Sequence, residues 1–187
     1  MSIINLQKGQ RIAVGLKRVV VGLGWDPNDS DSGEDFDLDA SAFMLDAKRK
    51  LPDAKFFVFY NNPKSVDSAV ASSGDDRSGG NSDGDDESLT VELDSVDARV
   101  TEILFTASIY EADKRKQNFG QVRNSFIRIY DADNESNVLC KYELGEDFSL
   151  ETCVEFGRLY KKDGQWKFEA VGQGYRGGLD TLIQKYV

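Results

Sequence analysis

Residues 35–45 read DFDLDASAFML, and their first half alternates acid with apolar: Asp35, Asp37 and Asp39 interleave with Phe36, Leu38 and Ala40. Successive side chains of an extended strand point to opposite faces. This spacing therefore predicts a strand with three carboxylates on one face and an apolar face turned towards a core. Strand-like runs rich in β-branched and aromatic residues recur on either side of it. RIAVGLKRVVVGLGW at 11–25 predicts one or two strands, followed by KFFVFYN at 55–61, SLTVEL at 88–93, RVTEILFTASIY at 99–110, NSFIRIYDA at 124–132, NVLCKYEL at 137–144, TCVEFGRLYK at 152–161 and QWKFEAVG at 165–172. Turn signals separate them, among them Asn61-Asn62-Pro63, Asp131-Ala-Asp-Asn134 and Lys162-Asp-Gly164. Short strands at near-regular spacing point to an antiparallel sandwich or barrel. Two segments depart from this pattern. EADKRKQN at 111–118 suits a helical turn, and GLDTLIQKY at 178–186 places Leu179, Leu182 and Ile183 on one face of a short C-terminal helix.

The chain has 187 residues, 40% of them hydrophobic and 11% aromatic, enough for one sizeable core and a single domain spanning 1–187. No run approaches the roughly 20 apolar residues that span a bilayer, and MSIINLQKGQR at the start lacks the apolar centre of a signal peptide. With only Cys140 and Cys153, a reducing cytoplasm is the expected location and buried free thiols the expected state. Trp25 and Trp166 are expected in the core.

The sequence contains no histidine, which removes Ser-His-Asp and Cys-His nucleophilic catalysis, histidine zinc sites and the 2-His-1-carboxylate iron triad. A net charge of −10 argues against nucleic-acid binding. The acidity is concentrated in two places. Residues 26–39 hold seven acids and no base, and residues 74–87 hold six acids and one base, so the rest of the chain is close to neutral. Carboxylates spaced about 7 Å apart along one strand face repel unless something cationic lies between them.

The second segment, GDDRSGGNSDGDDE, supplies Asp75, Asp76, Asp83, Asp85, Asp86 and Glu87, the amide of Asn81, and glycines that let the backbone turn its carbonyls inward. An oxygen-only, flexible donor set suits Ca²⁺, which takes 6–8 oxygens, better than Zn²⁺, copper or iron. An EF-hand does not fit. A loop starting at Asn81 would have Asp86 where the sharp turn needs glycine, and its flanks are strand-like.

Taken together, VGLGWDPND at 21–29, DFDLDASAFML at 35–45, FVFYNN at 57–62, GDD at 74–76, GDDE at 84–87, FGQVRNSFIRI at 119–129 and VGQGYRGGL at 171–179 resemble the TerD family of tellurium-resistance and stress proteins, in order and over nearly the whole chain. The resemblance implies a two-sheet β-sandwich that binds more than one Ca²⁺ through acidic loops in the bacterial cytoplasm. It also implies other proteins of a tellurium-resistance or stress complex as partners, with membrane contact only through them. Carried onto this chain, the implied metal ligands are Asp35, Asp37, Asp39, Asn61, Asn62, Asp75, Asp76, Asp85, Asp86 and Glu87. Asp76 departs from the family pattern, which has Asn there.

The function expected from these readings is Ca²⁺-dependent binding and assembly rather than catalysis. The alternative is a metal-dependent phosphoester hydrolase using clustered carboxylates, for which no nucleophile or general base beyond those carboxylates is evident. Within FGQVRN, two readings stand side by side: Gln121, Arg123 and Asn124 bind an anion or a partner, or, as the favoured expectation, Gln121 satisfies a turn and Arg123 pairs with a carboxylate.

Overall fold

The structure, a computed structural model, describes residues 3–28, 33–74, 84–144 and 148–187. In chain order its strands are β1 (Ile4–Leu6), β2 (Arg11–Ala13), β3 (Arg18–Gly24), β4 (Leu38–Leu45), β5 (Phe57–Val58), β6 (Val70–Ser72), β7 (Glu87–Glu92), β8 (Glu102–Ile109), β9 (Phe126–Asp131), β10 (Asn134–Glu143), β11 (Cys153–Lys162) and β12 (Gln165–Tyr175). Helix α1 (Ala112–Arg115) follows β8, and α2 (Gly178–Tyr186) ends the chain. The strands form two six-stranded sheets, ordered β1-β10-β9-β3-β7-β6 and β2-β12-β11-β8-β4-β5. All pairings are antiparallel except that of β1 with β10.

The core between the sheets follows from alternation. Val19, Val21 and Leu23 of β3 and Leu38, Ala42 and Met44 of β4 enter it together with Ile103, Phe105 and Ala107 of β8. Trp25 is buried there and Trp166 packs at its edge, half-buried. The opposite face of β4 is buried as well. Phe43 and Leu45 join Phe57, Leu104 and Cys153 beneath Leu182 and Tyr186 of α2. A strand covered on both faces needs apolar residues on both, which is why the alternation of 35–40 gives way to the continuous run AFML. The Tyr186 hydroxyl donates to Glu155 beneath α2, and the Lys185 ammonium lies 3.0 Å from the same carboxylate.

Several expectations are refined. Of residues 55–61 only Phe57–Val58 form strand. A 3₁₀ turn at Ala54–Phe56 precedes them, capped by the Asp53 carboxylate, and reciprocal backbone bonds between Phe59 and Asn62 close the chain after them. Strand β4 begins at Leu38, so Asp35 and Asp37 lie on its approach and only Asp39 within it. β1 and β6, of three residues each, are too short to carry a periodic signal. The Lys162-Asp-Gly164 turn appears as a two-residue hairpin between β11 and β12. Asp163 and Gly164 both have positive φ, as a turn matched to the strand twist requires.

Candidate cation site at one end of the sandwich

The described ends of the two acidic segments are tied together across the sheets. Glu87, at the start of β7 in one sheet, accepts the backbone N–H of Ala40 on β4 of the other at 2.6 Å, joining residues 47 apart in sequence. Asp86 beside it accepts the N–H of Trp25 at 2.9 Å and donates its own N–H to the Leu23 carbonyl. Trp25 in turn donates its indole N–H to the carbonyl of Phe36, at the foot of the first acidic segment. Asp37, Asp39, Asp86 and Glu87 are all buried, with exposures of 5–9%. Carboxylates withdrawn from water to this degree demand compensating hydrogen bonds or positive charge.

Asp35, Asp37 and Asp39 line a cleft of about 580 Å³ together with Tyr60, Tyr110 and Arg115. Tyr110 donates its N–H to the Asp37 carbonyl, fixing the approach to β4 against the end of β8. Arg115, on α1, lies 3.0 Å from Glu34 and 3.7 Å from Asp37 and sits over the Tyr110 ring. The lining of this cleft therefore holds four carboxylates against one guanidinium.

The structure does not gather every expected ligand. Asp35 is exposed, Asn61 lies exposed in the turn after β5, and half-buried Asn62 uses its amide N–H₂ on the Phe57 carbonyl at 2.7 Å. Asp75 and Asp76, with Asn81 and Asp83, fall outside the described residues. Asp85 turns to the outer face of its sheet. There the Arg128 guanidinium forks onto its carboxylate at 2.6 and 3.1 Å while also reaching Glu135, and a Cβ on Gly22 would overlap it. Burial, with the Asp85 charge second, pushes the neighbouring Tyr130 hydroxyl up to about 12. Among the described residues no three carboxylates are arranged to hold an ion by themselves. The donor set is nonetheless all oxygen, buried and strongly acidic, the chemistry that suits a hard cation.

Sequence reasoning missed Tyr60, Tyr110 and Arg115 as walls of the cleft. The tyrosines sit at the ends of strand-like runs with nothing to distinguish them from core aromatics, and Arg115 is one base among several in 111–118. In FGQVRN the Gln121 carbonyl oxygen accepts the N–H of Asn118 at 3.0 Å, closing the expected turn. Arg123 departs from expectation and forms no carboxylate pair among the described residues. Its backbone carbonyl takes the Asp26 N–H, while the Asp26 carboxylate is engaged by Asn124 at 2.6 Å, so the guanidinium is left at the surface. Both cysteines are free and buried, and burial pushes each thiol up to about 12.

A family model for the TerD domain matches residues 1–186. The chain belongs to the TerD family. It is 47% identical over 188 aligned residues to tellurium resistance protein TerD of Serratia marcescens, covering 98% of this chain and 96% of that one. It is 45% identical, with the same coverage, to general stress protein 16U of Bacillus subtilis strain 168. A solved structure of a TerD homologue from Streptomyces coelicolor A3(2) superposes with a TM-score of 0.73, at 22% identity over 90% of this chain and 96% of that one, and shows the same fold. The chain is thus a member of a tellurium-resistance and stress-response family. No helix among the described residues is long and apolar enough to cross a membrane.

Proposed function

We propose that this protein is a Ca²⁺-binding module of the cytoplasmic stress response that acts by docking to partner proteins rather than by catalysis. The observation that carries the reading is the burial of Asp37, Asp39, Asp86 and Glu87, which come from two distant acidic segments that the Glu87–Ala40 bond ties together. Asp37 and Asp39 would contribute carboxylate oxygens from the first segment, and Asp86 and Glu87 carboxylate oxygens from the second. Asp75 and Asp76, on the chain leading into β7, would complete the donor set. Bound Ca²⁺ would supply positive charge and a preference for six to eight oxygen ligands. The protein's own part is to hold those oxygens in a low-dielectric setting, with Arg115 limiting repulsion until the ion arrives. Ordering the acidic segments by neutralisation would change the surface offered to partners.

The test is thermal unfolding in EDTA, in excess Ca²⁺ and in excess Mg²⁺ at matched ionic strength. An ion that binds only the native state adds about 2.7 kcal/mol when its free concentration is 100 times Kd. A rise of several degrees specific to Ca²⁺ is expected. Superimposable curves would sink the Ca²⁺ reading and leave two acidic surfaces on a TerD fold.

A further inference from the structure

Behind the acidic cleft, and sharing Glu34 and Arg115 with it as a common wall, lies a second cleft of about 530 Å³ with the opposite electrostatic character. Its lining includes Asn28, Arg115, Lys116, Gln117, Gln121 and Arg123. Arg115 is held by Glu34 and Asp37. Neither the Lys116 ammonium nor the Arg123 guanidinium makes an ion pair or hydrogen bond with a described residue. Two cations with no such partner among the described residues, facing one concavity, are unexpected on a chain whose net charge is −10.

The backbone that presents them is fixed. Lys116 ends α1 with φ of 53° and Asn124 follows Arg123 with φ of 52°, left-handed conformations that non-glycine residues adopt only when their surroundings enforce them. The Lys116 N–H bonds back to the helix carbonyls, Phe119 donates to Glu151, Gln121 closes the turn from Asn118, and Asn124 is tied to Asp26. Gln117, almost fully buried, spends its amide N–H₂ on the carbonyls of Glu34 and Asp35, pinning the opposite wall. The cleft is therefore built before any ligand arrives, which lowers the ordering cost of binding.

We propose that this cleft is an oxyanion site for a phosphate group, with the Arg123 fork and the Lys116 point charge as its principal ligands. An arginine fork matches two oxygens of a phosphate, and lysine supplies a compact charge. Two cations without an ion pair among the described residues balance one phosphate dianion, and Gln121 lines the same wall. The inference is independent of Ca²⁺ binding. The phosphate can come from a soluble anion or from an exposed phosphomonoester headgroup, and the two sources are separable.

The experiment uses the full chain in EDTA at low ionic strength, where charge screening is weakest. Inorganic phosphate is titrated while amide resonances are followed, with chloride at equal ionic strength as the blank. In parallel, the protein is sedimented with vesicles of phosphatidylcholine alone or mixed with phosphatidic acid. Saturable shifts at residues 116–124 with inorganic phosphate are expected, weakened about tenfold by either Arg123→Gln or Lys116→Gln, the loss of one charge-assisted contact. Lys48→Gln, an equal charge change at an exposed position remote from the cleft, is expected to leave the titration unaltered. Binding seen only with phosphatidic acid, and lost in Arg123→Gln and Lys116→Gln, would assign the site to a headgroup. No saturable response to either probe would overturn the proposal. So would equal weakening by Lys48→Gln, which would mean a diffuse charge effect. Both cationic side chains are exposed, so the variants are expected to melt with the wild type; if one does not fold, the other carries the test.

Discussion

Asp85 and Arg128 form a two-pronged ion pair on the outer face of one sheet, turned away from the buried carboxylates beside it in the sequence. Asp85, Asp86 and Glu87 read as one acidic cluster, but they serve three different partners: Arg128, the Trp25 N–H and the Ala40 N–H. This division separates stability from ion binding. Asp85→Asn should cost about 1–3 kcal/mol by removing the charged acceptor of a largely buried guanidinium, yet preserve the rise in melting temperature with Ca²⁺. Asp39→Asn should do the reverse. Melting both variants with and without the ion decides it, and loss of the Ca²⁺ response in Asp85→Asn alone would place the site elsewhere.

Gly22 is the position that makes the Asp85 pair possible. A Cβ there would stand 2.1 Å from the Asp85 carboxylate, which the Arg128 fork prevents from swinging aside. Gly22→Ala is expected to lower stability by about 1–3 kcal/mol, the usual cost of overpacking. In urea the midpoint should fall with the slope unchanged. A wild-type midpoint would show that the carboxylate relocates freely.

The alkaline limb of stability follows from groups whose proton the fold holds more tightly than the unfolded chain does. Burial raises Cys140 and Cys153 from 9.0 to about 12 and Tyr130 from 10.0 to about 12, and it raises Tyr186 as well. For raised values the contribution is complete below the unfolded pKa and is lost as pH climbs towards the folded one. Urea midpoints should therefore hold steady near neutrality and fall progressively from about pH 9 to 12. Both thiols should resist a thiol-directed disulfide reagent at pH 8 in the native state and react on unfolding. Rapid native labelling would contradict their burial.

Helix α2 is attached by apolar contact more than by charge. Leu182→Ala, in a site with no measurable exposure, should cost about 2–5 kcal/mol. Tyr186→Phe removes one donor to Glu155 but leaves Lys185 on it, so a loss of about 1 kcal/mol is expected. Hydrogen exchange of residues 178–186 would report both changes, and a larger effect from Tyr186→Phe would mean that polar contacts dominate.

Much of this architecture was legible from local chemistry. The alternation at 35–40 located β4, the i, i+3, i+4 spacing of Leu179, Leu182 and Ile183 located α2, and Lys162-Asp-Gly164 located a hairpin. Elements fixed by tertiary contact were less visible. β1 and β6 exist because a neighbouring strand offers free backbone groups, and residues 59–62 turn back because Phe59 and Asn62 bond each other. In the candidate site, residue type pointed to Asp37, Asp39, Asp86 and Glu87. It did not separate Asp85 from them, because which face a side chain takes depends on the register of the strand it enters. The Lys116 and Arg123 cleft was only partly visible: anion binding by Arg123 is the less favoured reading of the sequence, since an arginine followed by polar residues ordinarily finds an acid, and nothing in the sequence joins Lys116 to it.

The pairing of β1 with Cys140–Tyr142 and of β2 with Glu169–Lys167 also sets an order of events in synthesis. As the chain leaves the ribosome, its first two strands emerge with no ladder to join until the penultimate and final hairpins have appeared. The nascent polypeptide must carry two unsatisfied edges through most of its translation, the circumstance in which long-range β topologies fold late and are exposed to misassembly. Their brevity, three residues each, limits how much adhesive edge is presented while they wait.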